Sequence, residues 1–236
     1  MKTRNAVVVL AVVALGLGLS ARVSGQPYVM GFTSGDVNYL QVNTAGGVIS
    51  LNTGQGQINP SSLNQGWWSA TYVNSFGNDN HLTGSPDNGT DWLRSFYVFD
   101  TSSLGGLTAT GATLILNDFV DFPGPGTPPY NLSFWDVTTP VATLVDTVGN
   151  SAAIYNDLGS GIEYGSLSYG GVSGLGGYYD EGTITVNLNE AALDAINGAD
   201  GGYFAIGAAL NVPDGGLTFG LLGMCATALF GLKRKI

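Results

Sequence analysis

Between Trp67 and Leu210 the chain reads as short runs of aromatic and β-branched residues, each closed by Gly, Pro, Asn or Asp. The clearest are WWSATYV (67–73), LRSFYVFD (93–100), ATGATLILND (109–118), YNLSFWDV (130–137), GTITVNL (182–188) and YFAIGAAL (203–210). Side chains of this kind suit a pleated, half-buried surface, and runs of this length between turn formers predict strands. Within RSFYVFD the period is two: Phe96, Val98 and Asp100 fall on one face, Tyr97 and Phe99 on the other. Residues 26–64 form a polar lead-in rich in Gly, Asn and Ser, in which VNYLQV (37–42) and GGVISL (46–51) are candidate first strands. One stretch breaks the strand rule. In NEAALDAING, Asn189 reads as an N-cap, Glu190 sits in the first turn, Leu193 and Ile196 are core contacts, and Gly198 is the stop. The connections lack the repeated amphipathic helices of a parallel α/β sheet. The pattern predicts an all-β fold: an antiparallel, jelly-roll-like β-sandwich over residues 65–211, with one short helix before the last strand.

The two ends follow a different pattern. Lys2 and Arg4 precede an apolar run from Ala6 to Leu19, and ARVSGQ then offers small residues for cleavage. This order predicts a secretory signal helix over residues 1–25, cut between Gly25 and Gln26, with Ala21 as the rival site. Sec export machinery and signal peptidase are the implied partners. At the other end, residues 212–236 run from VPDGG through the apolar Leu217–Leu232 to the bases Lys233, Arg234 and Lys235. A helix over those sixteen residues would reach only about 24 Å, short of the ~30 Å hydrocarbon core. The basic cluster would remain cytoplasmic and act as a topology stop, which leaves VPDGG outside. An ordinary single-pass anchor is the alternative.

Charge sharpens this division. Of seven basic residues, only Arg94 lies between Gln26 and Asn211, against sixteen Asp and Glu. Such an anionic domain repels phosphate backbones, so no nucleic-acid partner is expected. The single cysteine, Cys225, lies in the C-terminal apolar run, which excludes disulfides and Cys-based chemistry from the central domain.

Two stretches carry a family resemblance. RSFYVFDTSSLGGLTATGATLIL (94–116) with YNLSFWDVTTPVATLV (130–145), together with YNDLGSGIEYGS (155–166), LNEAALDAI (188–196) and GGYFAIGAAL (201–210), resembles the exported β-sandwich domains of environmental Gram-negative bacteria that carry a PEP-CTERM type tail. The Arg-aromatic, Phe-Asp and ATL portion also resembles the wider DNRLRE-type sandwich family, some members of which bind polysaccharide. The tail is similar to that group's sorting signal: Val212, Pro213, Asp214, Gly215 and Gly216 match its VPDSG/VPDGG variant. The resemblance implies recognition and cleavage of the tail by a membrane-embedded exosortase. The chain would be held transiently in the membrane by its C-terminal helix, then displayed or released at the cell surface among exopolysaccharide.

Candidate chemistry in the central domain is sparse. GNDNHLTGSPDNGTDW (77–92) supplies Asp79, Asp87 and Asp91 as oxygen ligands for Ca²⁺, without EF-hand spacing; a solvated Asx-turn loop is the competing reading. No other cofactor is expected. His81 lacks further His or Cys to build a zinc site and reads as a surface loop residue. Asp118 with Asp121, and Asp180 with Glu181, are the carboxylate pairs that a glycan hydrolase would need, but neighbouring acids seldom flank a scissile bond. The expectation is no enzyme. Arg94 reads as a structural ion pair with Asp91 or Asp100, or alternatively as a guanidinium fork for an acidic glycan. Trp67, Trp68, Trp92, Tyr178 and Tyr179 would join it as a glycan-contacting platform. Neighbours on a strand face opposite ways, so at most one of each Trp-Trp or Tyr-Tyr pair should be core. The sequence therefore favours an exported, non-enzymatic surface or matrix protein, with a carbohydrate-binding module as the alternative.

Overall fold

A computed structural model describes residues 28–30, 37–58, 63–74, 80–85, 91–122, 130–146, 148–169, 179–199 and 201–211. The expected signal segment and C-terminal tail, with Asp79, Asp87 and Tyr178, lie outside these residues. For 28–30, 118–122 and 179–181, which include the side chains of Asp118, Asp121, Tyr179, Asp180 and Glu181, strand pairing is described but side-chain placement is not.

The described chain is predominantly antiparallel β-sheet. Its strands are β1 (Tyr28–Met30), β2 (Tyr39–Thr44), β3 (Gly47–Asn52), β4 (Gln65–Ser69), β5 (Leu82–Gly84), β6 (Leu93–Asp100), β7 (Ala109–Phe122), β8 (Tyr130–Asp136), β9 (Glu163–Tyr169), β10 (Tyr179–Asn187) and β11 (Tyr203–Asn211). Three helices interrupt them: α1 (Val141–Leu144), α2 (Ala152–Asp157) and α3 (Glu190–Gly198). The sequence pattern anticipates only α3 among these. Its N-cap is as expected, since the Asn189 side chain accepts from the Ala192 N–H at 3.2 Å. The helix runs through Gly198 and is capped at Ala199, one residue beyond the expected stop.

Hydrogen bonding groups the strands into two runs, β3-β2-β7-β10 and β4-β6-β11-β8-β9, which the short β1 and β5 connect. The runs face each other across one core. Leu40 and Val42 of β2, Leu51 of β3 and Leu114 and Leu116 of β7 meet Tyr97 and Phe99 of β6, Leu132 and Phe134 of β8, and Phe204 and Ile206 of β11. Strands β2 and β3 of the polar lead-in thus contribute to the same core as the later strands. Helix α3 adds Ala192 and Ile196 to it. The Asn197 amide holds α3 to the start of β7, accepting from the Ala109 N–H at 2.7 Å.

The two outer faces differ. Behind β4, β6 and β11, a second cluster joins Trp68, Phe96 and Val98 to Leu144 and Val145 at α1 and to Ile154 and Leu158 at α2. This explains why Phe96 and Val98 are as buried as Tyr97 and Phe99: β6 has apolar partners on both sides. At Gly207 of β11 an added Cβ would lie 2.6 Å from the Leu158 carbonyl oxygen, so only glycine lets α2 settle this close. Among the described residues, no helix covers the outer face of β3-β2-β7-β10. Most of the side chains described there are polar or half-buried, with Gln41, Asn43, Ser50, Thr185 and Asn187 exposed, and the apolar Val48 is 64% exposed beside Asn43.

Candidate functional site

Arg94 is the natural starting point, as the one base expected to matter. It leaves β6 on the outer face, opposite Trp68 of β4. The guanidinium reaches the C-terminal end of α2, where Nη1 donates to the Tyr155 carbonyl at 2.8 Å and to the Asn156 carbonyl at 3.3 Å. The Tyr155 ring lies 4.2 Å from Cζ, a cation–π distance. These carbonyls are among the orphan acceptors at a helix end, where the dipole also favours a cation. The expected ion pair with Asp91 or Asp100 is not what forms. Asp91 accepts from Thr71 Oγ1 at 2.7 Å, and Asp100 accepts from the Ser102 N–H at 2.8 Å. Burial lowers the Arg94 pKa from its ordinary value, and the adjacent Tyr155 opposes that shift.

Gly159 completes the niche. A Cβ there would stand 2.5 Å from Arg94 Cζ and 2.7 Å from Nε, so the residue is small because the guanidinium occupies the space. The next residues are held just as closely. Asp157 accepts from both the N–H and the hydroxyl of Thr138 and of Thr139, at 2.6–3.3 Å. Burial would raise its pKa, but these bonds outweigh it and keep the carboxyl below its usual range. Arg94 thus fastens α2 to β6, and Asp157 fastens it to the link between β8 and α1. Chemically this is a clamp, in which one guanidinium nitrogen, Nη1, is engaged by two main-chain oxygens.

The aromatic platform is also altered. Trp67 and Trp68 are both buried, at 7% and 5% exposure, so neither is available to a glycan. The alternation itself holds; what differs is that both faces of β4 are covered. Trp68 enters the cluster under α1 and donates from Nε1 to the Leu144 carbonyl at 2.9 Å. Trp67 lies on the other side with its ring 5.9 Å from that of Tyr72. Trp92 is half-buried at the start of β6. Trp135, on β8, has the one buried side-chain polar atom without a hydrogen-bond partner among the described residues, its Nε1.

His81 departs furthest from expectation. It is not a surface loop residue: it is 2% exposed, edge-on to Tyr97 at 5.5 Å, with Nε2 3.3 Å from the Asn117 carbonyl oxygen. Desolvation by burial lowers its pKa from 6.5 to about 4, opposed by that hydrogen bond, so it is neutral at pH 7. Burial likewise pushes the Tyr97 phenol upward, opposed by a hydrogen bond with Ser95. A polar seam continues from here. Asn117 N–H donates to Asn38 Oδ1 at 2.8 Å, and Asn38 Nδ2 and Thr53 Oγ1 both donate to Gln65 Oε1 at 2.8 and 2.6 Å. These are satisfied core polar groups that fix the strand register.

Among the described residues no three of His, Cys, Asp and Glu gather as a metal-holding group. No helix among them is long and apolar enough to cross a membrane, and both apolar end segments lie outside this description. No family model, curated protein or solved structure matches the chain.

Proposed function

We propose that this chain is an exported, non-catalytic surface protein whose jelly-roll-like sandwich is delivered by its ends. The observation that carries the reading is the order of the last 25 residues: VPDGG, then Leu217–Leu232, then Lys233–Lys235. A short apolar helix with a cytoplasmic basic stop holds the Pro- and Gly-containing motif extended at the outer membrane surface. There a membrane-embedded exosortase cuts it. The N-terminal Lys2 and Arg4 with the apolar Ala6–Leu19 run provide Sec entry, and cleavage at Gly25–Gln26 frees the domain. The processed protein is cysteine-free, with sixteen acids against one arginine between Gln26 and Asn211. Its role at the surface is architectural, among exopolysaccharide.

The internal clamp on Arg94 supports the non-catalytic reading, because the domain's one fixed positive charge serves the fold. Mass spectrometry of the protein recovered from the cells that make it tests the proposal. The expected mature form begins at Gln26 and lacks residues 217–236. A mature form that retains Leu217–Ile236 in the membrane would make the tail a permanent anchor and sink the sorting reading.

A further inference from the structure

The hairpin of β2 and β3 leaves a strand edge open. Thr44 pairs with Gly47 across the turn of Ala45 and Gly46, and Tyr39 pairs with Asn52 at the far end. Successive antiparallel pairs alternate between hydrogen-bonded and non-hydrogen-bonded. The Thr53 N–H donates to the Asn38 carbonyl at 3.0 Å, so stepping back by twos makes Leu51, Ile49 and Gly47 the residues bonded to β2. Val48, Ser50 and Asn52 therefore turn their N–H and C=O groups away from β2, and β3 ends its run with no strand beyond it. Gln55 takes up Asn52. Its Oε1 accepts from the Asn52 N–H and its own N–H donates to the Asn52 carbonyl, both at 3.2 Å. Among the described residues nothing is bonded to the outward main-chain groups of Val48 and Ser50. Both residues are exposed, Val48 to 64%.

The other edge strands are guarded. β4 is buried along its length, the Asn189 N–H and Nδ2 occupy the Tyr164 and Glu163 carbonyls of β9, and β10 carries Asp180 and Glu181. β3 has no proline, no charged residue and no bulge against β2, the usual devices that keep an edge from pairing. Its surroundings are neutral as well. No Asp, Glu, Lys, Arg or His lies between Asp36 and Asp79, nor between Asp100 and Asp118, a stretch that includes the Ser102–Leu104 turn beside β3. Asp100 stands against Gly56, in the loop past the end of the strand. In a strongly anionic domain, this edge is where two copies meet without bringing carboxylates together. The pattern is also self-complementary, as a two-fold contact requires. With the axis at Ile49, Val48 of each copy opposes Ser50 of the other, and every free main-chain group of both residues is used. A register centred on Val48 would oppose Ser50 to Gly46 in the turn; one centred on Ser50 would oppose Val48 to the occupied Asn52. We propose that β3 is a self-association edge, through which two copies pair antiparallel about Ile49 and join their β3-β2-β7-β10 runs into one continuous sheet. The contact is small, so its dissociation constant is on the order of 0.1–1 mM. The proposal does not depend on tail processing.

Oxidative cross-linking of the purified full-length chain, in excess nonionic detergent to separate the apolar ends, provides the measurement. In a Cys225→Ser background, Ile49→Cys places two thiols across the axis in a non-hydrogen-bonded pair, about 4.5 Å apart at Cα, close enough for a disulfide. Copper phenanthroline should give a covalent dimer, and more of it at high salt, which screens the repulsion between copies. Thr185→Cys, exposed on β10, should give none. Adding Val48→Glu to Ile49→Cys sets acids beside the axis and should cut the yield at least tenfold, with an unchanged thermal midpoint because Val48 is exposed. Sedimentation equilibrium needs no introduced cysteine: the unmodified chain should show a concentration-dependent dimer that Val48→Glu lacks. No covalent dimer from Ile49→Cys overturns the proposal. So does equal cross-linking at Thr185→Cys, a yield that survives Val48→Glu, or identical sedimentation of the unmodified chain and Val48→Glu.

Discussion

At the scale of single residues, function-like side chains turn out to be structural because of what surrounds them. Arg94 has a carboxylate nearby in sequence, yet its geometry is set by two helix-end carbonyls and the Tyr155 ring. Nothing in the local sequence reveals this, since the partners lie about sixty residues downstream. The niche yields a test by double-mutant cycle. Gly159→Ala drives a methyl into the guanidinium and should cost about 1–3 kcal/mol. Arg94→Ala should cost a similar amount by stranding carbonyls and removing the stacked cation. The pair should fall short of the sum by at least ~1 kcal/mol in urea unfolding, because removing Arg94 also removes the clash. Strict additivity would mean that Gly159 and Arg94 do not share this space. His81 offers a second test. Its folded pKa of about 4 lies below the ordinary 6.5, so the unfolded chain binds more protons between those values. Stability from this group is complete above pH 6.5 and declines as pH falls toward 4, by about 3 kcal/mol in total. Urea midpoints measured from pH 7 to pH 5, above most carboxylate titration, should therefore drop for the wild type and stay level for His81→Gln. A parallel drop in both would place the titration on another group.

At the scale of elements, what the sequence made legible was whatever has a long enough period. β6 spans the expected residues, and α3 begins at its expected cap, because eight alternating or nine helical positions give a clear signal. The short β5 and the six-residue α2 fall below that threshold, the latter in a Gly-rich stretch where turn formers dominate. Missing α1 and α2 had a direct consequence. Without the helices, Trp67 and Trp68 read as one core and one exposed residue; with them, both are core. The open face was equally legible in principle, since polar residues alternate with Leu40, Val42 and Val186, but alternation alone does not say which faces are covered. The cap of α3 has its own expected outcome. Asn189 also donates from Nδ2 to the Glu163 carbonyl at 2.7 Å, tying the helix start to β9. Asn189→Ala removes both contacts and should cost more than a simple cap, about 1–2 kcal/mol. Asn189→Asp keeps the cap acceptor and loses the donor, so chemical denaturation should place it between wild type and alanine. An aspartate variant no better than alanine would show that the β9 tie, not the cap, dominates.

At the scale of the whole molecule, the clamp on Arg94 and the surplus of acids belong to one argument. The domain's one arginine is bonded to carbonyls, so it does not neutralise a carboxylate by contact, and the acids meet mainly one another's fields. With sixteen acids and one base between Gln26 and Asn211, the net charge there is 1 − 16, or −15. Self-repulsion of this kind destabilises a compact state relative to an expanded chain, in which the same charges lie further apart. The repulsion acts across a surface and over distances near the Debye length, which shrinks from about 30 Å at 0.01 M salt to about 8 Å at 0.15 M. Salt should therefore stabilise this protein. The thermal midpoint at pH 7 should rise by several degrees between 10 and 300 mM sodium chloride and then flatten, and sodium perchlorate at the same ionic strength should give a similar initial rise. Acid acts in two opposing ways. Protonating the carboxylates relieves the repulsion below about pH 5, while His81 withdraws stability from 6.5 downward, so the wild type should lose stability first and recover part of it later. His81→Gln should lack the early loss, while protonation of Asp157, whose carboxyl is held below its usual range, withdraws part of the later recovery. A midpoint that falls with salt would mean that attractive pairs outweigh the repulsion, and the account of an anionic sandwich held by packing and neutral hydrogen bonds would fail.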